Sequence, residues 1–188
     1  MAVRNADDIL IGGARVFVIE DNDGTKEYHE LGWMSGEFKL EEQADSQTVK
    51  ESEGGTVLTI ATNKEVHLTF NLLECNLDTL LLLNPSAVAI GGEGDTEADG
   101  KGFAVGTFQS DKTFPVELWM KKRSGEYRCV RVYKGKVSGN FTSFLLNQDS
   151  ESPIAVDIVG LPDESLPNDR NIYQQFNASA SKAPGGGW

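Results

Sequence analysis

The sequence predicts an all-β protein: a β-sandwich or barrel-like subunit with one short flanking α-helix and a long inter-strand loop. Three observations carry that reading. Apolar residues recur at every second position in many short stretches, turn signals separate those stretches, and only one segment has helical periodicity.

In chain order, Ala14 to Glu20 is a strand with Val16 and Val18 on one face and Phe17 and Ile19 on the other. Asp21-Asn22-Asp23-Gly24 is a turn, since Asn and Gly tolerate positive φ, and Lys26 to Leu31 returns as a more polar strand. In the next strand Phe38 and Leu40 alternate with Glu37, Lys39 and Glu41. A polar, acidic stretch follows, from Asp45 through Ser46, Gln47, Thr48, Val49, Lys50, Glu51, Ser52 and Glu53 to Gly54-Gly55. It reads as a loop about ten residues long, where hairpin loops are commonly about 2–5. Thr56 to Thr62 and Val66 to Leu72 are read as two further strands. Asn76 caps a helix whose apolar stripe is Leu77, Leu80, Leu81 and Leu83, and Asn84-Pro85 stops it.

Gly91 to Gly102 is rich in Gly, Asp and Glu and reads as a flexible loop; its carboxylate spacing does not match an EF-hand. Strands are expected at Phe103 to Gln109, Pro115 to Lys121, Tyr127 to Lys134, Val137 to Leu146 and Ile154 to Val159. Beyond Pro167 the chain is polar. The expected organisation is one domain over residues 1–167 and a C-terminal tail over 168–188, ordered only where a neighbour binds it through Ile172, Tyr173 and Phe176.

With 188 residues the chain can bury a substantial core, and 39% hydrophobic with 24% charged residues is ordinary for a globular protein. No apolar run approaches the ~20 residues of a membrane span, and the first residues carry no secretory h-region, so folding in the cytoplasm without a membrane anchor is expected. Cys75 and Cys129 are too few for a disulfide framework and read as small buried hydrophobes. The net charge of −12 argues against gripping a nucleic-acid backbone. The charge is uneven. Residues 112–136 hold eight basic residues against two acidic ones, so that segment carries +6 and the rest of the chain −18. Such segregation suits a subunit whose acidic face meets a neighbour's basic face; the plainer alternative is a basic hairpin on an acidic domain.

His29 and His67 are the only histidines, and neither sits in a metal-ligand pattern. There is no nucleophile elbow, phosphate loop or dinucleotide fingerprint. No catalytic residue, cofactor or metal is expected, and the reading leans away from an enzyme.

The order of features resembles a known family. Leu31-Gly32-Trp33-Met34-Ser35-Gly36, the strand Glu37 to Glu42, a long acidic loop, the strand Glu65 to Leu72 and the helix Asn76 to Leu83 are similar to the tail tube proteins of long-tailed bacteriophages and, more broadly, to inner-tube proteins of contractile injection machines. The resemblance covers roughly residues 10–165 and rests on element order rather than signature residues. It implies six subunits per ring and rings stacked into a virion tail tube through which double-stranded DNA passes without specific binding. Assembly would take place in the host cytoplasm, with tape-measure, terminator and distal tail proteins as further partners.

On that reading the loop Asp45 to Glu53 reaches the adjacent ring. Glu37, Lys39, Glu41, Thr56 and Thr59 are candidates for the channel lining, although Thr56 and Thr59 point to opposite faces. Lys121, Lys122 and Arg123 in the basic hairpin are candidates for a subunit contact. Alternatives of other classes are an inner tube without DNA cargo and a monomeric ligand-binding β-sandwich.

Overall fold

The computed structural model describes residues 7, 9–49, 58–73, 76–84, 86–91, 102–105, 112–138 and 153–184. Its strands are β1 (Leu10–Asn22), β2 (Thr25–Glu30), β3 (Met34–Val49), β4 (Leu58–Leu72), β5 (Ala87–Ile90), β6 (Gly102–Val105), β7 (Phe114–Lys122), β8 (Tyr127–Val137), β9 (Ile154–Leu161) and β10 (Tyr173–Ala178). One α-helix, α1 (Leu77–Leu83), lies between β4 and β5. The all-β expectation holds.

The main sheet runs β2-β1-β7-β8-β9-β4-β3, every pairing antiparallel, and β5 and β6 form a separate small hairpin. The sheet forks at β8. One edge of β8 pairs with β7 from Tyr127 to Gly135, with an irregularity between Val132 and Gly135. The other edge is shared: Tyr127 to Val132 pair with β10, and Lys134 to Val137 pair with β9. The fork needs close backbone approach, and two glycines provide it. Gly135 faces Gly160 across the β8–β9 pair. A Cβ at Gly135 would lie 2.9 Å from Ile158 Cγ2 and 3.0 Å from the Phe114 carbonyl oxygen, and one at Gly160 would lie 2.9 Å from Val132 Cγ1.

The sheet curls so that one set of inward side chains makes a single core. Val16 and Val18 of β1 meet Leu68, Phe70 and Leu72 of β4, Val116 and Leu118 of β7, Val130 and Val132 of β8, and Val156 and Ile158 of β9. Each such side chain contributes roughly 1.5–3 kcal/mol when fully buried. A second cluster lies on the opposite face of the same sheet: Phe17, Trp119, Tyr127, Cys129 and Ala183, with Phe176 and Ala178 against it. The alternation read for β1 therefore holds on both faces, with Val16/Val18 in one cluster and Phe17 in the other.

The local signals act as their chemistry requires. Asp23 (φ 53°) and Gly24 (φ 84°) form the left-handed pair of a two-residue hairpin turn, and Asp21 Oδ1 accepts from the Gly24 N–H at 2.8 Å. Asn76 Oδ1 accepts from the Thr79 N–H at 2.7 Å and caps α1. The expected helix stripe is corrected: Thr79, Leu80 and Leu83 are buried, whereas Leu77 is exposed.

Three further expectations are corrected. Thr56 to Thr62 and Val66 to Leu72 are not separate strands, because β4 runs unbroken from Leu58. Asp45 to Val49 are not loop but the end of β3, in register with β4 down to Val49↔Leu58. Residues 173–178 are not a tail awaiting a neighbour; they are β10, paired with β8 of the same chain. The strand expected over Val137 to Leu146 and the loop Gly91 to Gly102 fall mostly outside the described residues, as does Cys75, while Cys129 is buried as expected.

Candidate assembly surface

The feature that sets this sheet apart is the length of the β3–β4 pair. β3 has 16 residues and β4 has 15, which at about 3.3 Å per residue spans about 50 Å. β9 accompanies β4 only from Leu72 to Val66. Among the described residues, β4 from Glu65 to Leu58 has β3 on one side and no strand on the other, and no strand pairs with the outer edge of β3. The pair therefore leaves the sheet as a two-stranded ribbon. A bulge between Asp45 and Ser46 marks its outer part.

A polar network holds the root of the ribbon. Glu42 accepts from Lys64 Nζ at 2.6 Å and from the Tyr173 hydroxyl of β10. These bonds, Lys64 first and Tyr173 second, hold the Glu42 carboxyl below its ordinary range, and the bond to Glu42 raises the Tyr173 phenol.

Of the candidate channel residues, Glu37, Lys39 and Glu41 do share one face of β3, opposite Phe38 and Leu40, which pack on the core. Glu37 and Lys39 are exposed and Glu41 is half-buried, and Lys39 Nζ lies 2.6 Å from Glu41 Oε1. His67, beside Glu41 in the register, continues this polar face and sits 3.2 Å from Asp157 Oδ1 and 3.9 Å from Glu65 Oε2. The face is thus largely acidic with one histidine, an element the sequence showed only as outward alternation. Thr59 lies in β4 opposite Thr48, while Thr56 is outside the described residues. Of the expected inter-ring loop, Asp45, Ser46, Gln47, Thr48 and Val49 are β3 backbone, and Lys50, Glu51, Ser52 and Glu53 lie outside the described residues.

The basic hairpin is β7–β8, and much of its charge is engaged within the chain. The side chain of Lys122, one of the subunit-contact candidates, is 2% exposed and lies 3.7 Å from Glu126. Lys121 is half-buried and Arg123 is exposed, its N–H bound to the Ile9 carbonyl at 2.9 Å. Lys112 pairs with Glu20 at 3.6 Å.

Glu117 is fully buried, which no local pattern announces. Its carboxylate accepts from Trp119 Nε1 at 2.8 Å and from Arg131 Nε at 2.6 Å, with Arg131 Nη2 at 2.5 Å. The same guanidinium lies 5.5 Å from the Phe176 ring. Burial, with Glu117 adding to it, pushes the Cys129 thiol up to about 12, so this cysteine is inert rather than nucleophilic.

A cavity of about 720 Å³ is lined by residues of β1, β3 and the connection before β3, including Arg15, Leu31, Trp33, Met34, Phe38 and Phe70. Trp33 at its rim is 75% exposed. No group of three or more His, Cys, Asp or Glu side chains is placed to hold a metal ion among the described residues, and no helix among them is long and apolar enough to cross a membrane.

No protein-family model matches the chain, and no curated protein matches it. Among solved structures it is similar to the anti-feeding prophage cap, a tube-terminating cap solved by cryo-electron microscopy, at 12% identity and a TM-score of 0.40, with 86% of this chain and 88% of that chain covered. Identity and structural overlap are both low.

Proposed function

We propose that the chain is a structural subunit that polymerises: stacked hexameric rings of a bacteriophage tail tube, with double-stranded DNA passing through the lumen and other tail proteins at the tube ends. The single observation that carries the reading is the projecting β3–β4 ribbon. A two-stranded hairpin is marginal alone in water, and unpaired strand edges invite pairing with another chain. A ribbon that runs seven residue pairs beyond its last strand neighbour is stabilised when neighbouring copies cover it, and closure of several copies into a ring removes the edges. A head-to-tail contact that does not close then stacks rings into a filament. The acidic outer face of β3, β4 and β9 suits a lumen from which phosphates are repelled.

Negative-stain electron microscopy of the purified full chain tests this. Rings or tubes are the expected result, with polymer yield falling as salt shortens the Debye length from ~10 Å at 0.1 M to ~3 Å at 1 M. A monomer at every concentration overturns the reading. The cavity beneath Trp33 favours the second reading, a monomeric ligand-binding module. A stable monomer whose Trp33 fluorescence responds to a small-molecule panel would establish that instead.

A further inference from the structure

We propose that the cavity beneath Trp33 binds a guanidinium-type organic cation, the group an arginine side chain carries. Such a site rests on the ligand-binding reading of that cavity and does not require tube assembly.

Trp33 is held by its backbone and offered by its side chain. Leu31 is fully buried, and its N–H donates to the Val16 carbonyl at 3.0 Å; the Trp33 carbonyl accepts from the Leu73 N–H at 2.8 Å. Gly32, between them, takes a φ of 106°, which a residue with a Cβ rarely adopts. The indole is thus fixed at the cavity rim, 75% exposed, with no ring contact and no acceptor for its N–H among the described residues. A tryptophan placed this way keeps both its apolar face and its polar handle for another molecule.

The cavity has the size and the charge for a small cation. Its volume of about 720 Å³ falls within the ~300–1,000 Å³ of small-molecule sites. The charged residues that line it are Arg15, Glu30 and Glu37. Arg15 and Glu30 bond each other, which leaves the carboxylate of Glu37 exposed and without a partner among the described residues. Phe38 and Phe70 add two further rings to the lining. The face of an aromatic ring attracts a cation, and a nearby carboxylate adds a charge-assisted hydrogen bond. A net charge of −12 draws cations toward such a cleft.

The same chain shows twice which cation suits a ring and a carboxylate together. Arg15 lies 5.0 Å from the Phe17 ring and bonds Glu30; Arg131 lies 5.5 Å from the Phe176 ring and bonds Glu117. A guanidinium does both because it is flat enough to stack and forked enough to bond a carboxylate. Trp33 and Glu37 offer a third ring and carboxylate on one cavity, and no arginine of the described residues pairs with either. Two sources could supply the group. One is a free or peptide arginine. The other is a second copy's Arg123, which is exposed on the β7–β8 turn with no partner for its side chain among the described residues.

Equilibrium dialysis of the full chain against N-acetyl-L-arginine amide tests this, with N-acetyl-L-citrulline amide as the neutral isostere. Saturable binding of the arginine compound is expected, with the citrulline compound roughly tenfold weaker or more. Trp33→Leu and Glu37→Gln, each checked for folding by circular dichroism, should each weaken binding roughly tenfold. Arg123→Gln separates the sources. Tighter binding of the arginine compound by that variant means that a second copy's Arg123 fills the cavity, and unchanged binding means that the cation is a free or peptide arginine. Equal binding of the two compounds, no binding of either, or full binding by Trp33→Leu overturns the proposal. A Trp33 fluorescence response to the small-molecule panel without arginine binding would keep the ligand-binding reading and sink this inference alone.

Discussion

Two long hairpins in this molecule carry the same chemical device in opposite surroundings. In β7–β8, Glu117 accepts from a guanidinium and an indole N–H at 0% exposure. In β3–β4, Glu42 accepts from an ammonium and a phenol hydroxyl on an exposed strand. The first hairpin has strands on both sides and apolar clusters on both faces. The second has a neighbour for seven residues of β4 and none beyond among the described residues. The difference teaches where each hairpin's order comes from. β7–β8 is ordered by what it buries, so its ion pair is committed to the fold. The outer β3–β4 ribbon is ordered by its own ladder, and its remaining capacity for contact is directed outward, which suits an assembly element.

The largest expected effect breaks the buried device. Glu117→Ala leaves the Arg131 guanidinium beside the apolar floor with no carboxylate, which typically costs about 3–5 kcal/mol. Urea unfolding should show that loss. The double variant Glu117→Met with Arg131→Met should recover most of it, because apolar replacement of both partners removes the desolvation penalty. Recovery no greater than the single variant would mean that Trp119 and Phe176, not the pair, hold the cluster.

Gly135→Val comes next. The new Cβ meets Ile158 and the Phe114 carbonyl at about van der Waals overlap, and overpacking of this kind typically costs about 1–3 kcal/mol. Because Gly135 lies where β8 changes neighbour, the loss should be accompanied by faster amide exchange in β9. Gly125→Ala, in the open β7–β8 turn where a Cβ meets nothing, tests backbone strain alone, since its φ is 86°.

Replacing Ser46–Thr62 by Asn-Gly, a two-residue hairpin turn, removes the outer ribbon while keeping the Asp45↔Asn63 pair. Thermal unfolding should change by no more than about 1 kcal/mol, since β4 keeps its β9 partner and Leu68, Phe70 and Leu72 keep their places in the core. Polymer formation should be lost. A truncated chain that polymerises like the parent would remove the ribbon from the assembly account.

These contrasts also mark what the sequence could show. The Asp23-Gly24 turn, the Asn76 cap and the alternation of Val66, Leu68, Phe70 and Leu72 were legible because each depends on a residue and its near neighbours. The β3 half of the outer ribbon was not, although its β4 half was read as the strand Thr56 to Thr62. Its strand order comes from backbone pairing, and Asp45 to Thr48 carry no apolar alternation to announce it. β10 was missed for the related reason that Gln174, Gln175 and Asn177 read as tail, although Tyr173, Phe176 and Ala178 are the residues that dock it. Glu117 was unreadable because the arginine that makes its burial tolerable lies 14 residues away, on the facing strand. The shared polar face of Glu37, Lys39 and Glu41 on β3 was legible as period-two alternation, whereas the burial of Lys122 was not, because a lysine beside a turn gives no local sign of it.

The smallest effect concerns the exposed device. The Glu42 carboxyl is held below its ordinary value of 4.5 by Lys64 and Tyr173, so its contribution to stability is fully present above pH 4.5 and is lost as pH falls through the folded value. The Tyr173 phenol is raised above its ordinary value of 10 by Glu42, so its contribution is present below pH 10 and is lost as pH rises through the folded value. Between those limits Glu42→Gln should lower the melting temperature slightly, consistent with the ~0–1 kcal/mol of an exposed pair. The gap between variant and parent should be flat from pH 5 to 9 and close as pH falls through the folded value, which lies below 4.5. Lys64→Met should narrow it more than Tyr173→Phe does, since the ammonium is the larger influence on Glu42. A gap that persisted unchanged at pH 3 would show that Glu42 acts through strand packing, and the contrast between the two hairpins would then be one of neighbours alone, not of how each holds its carboxylate.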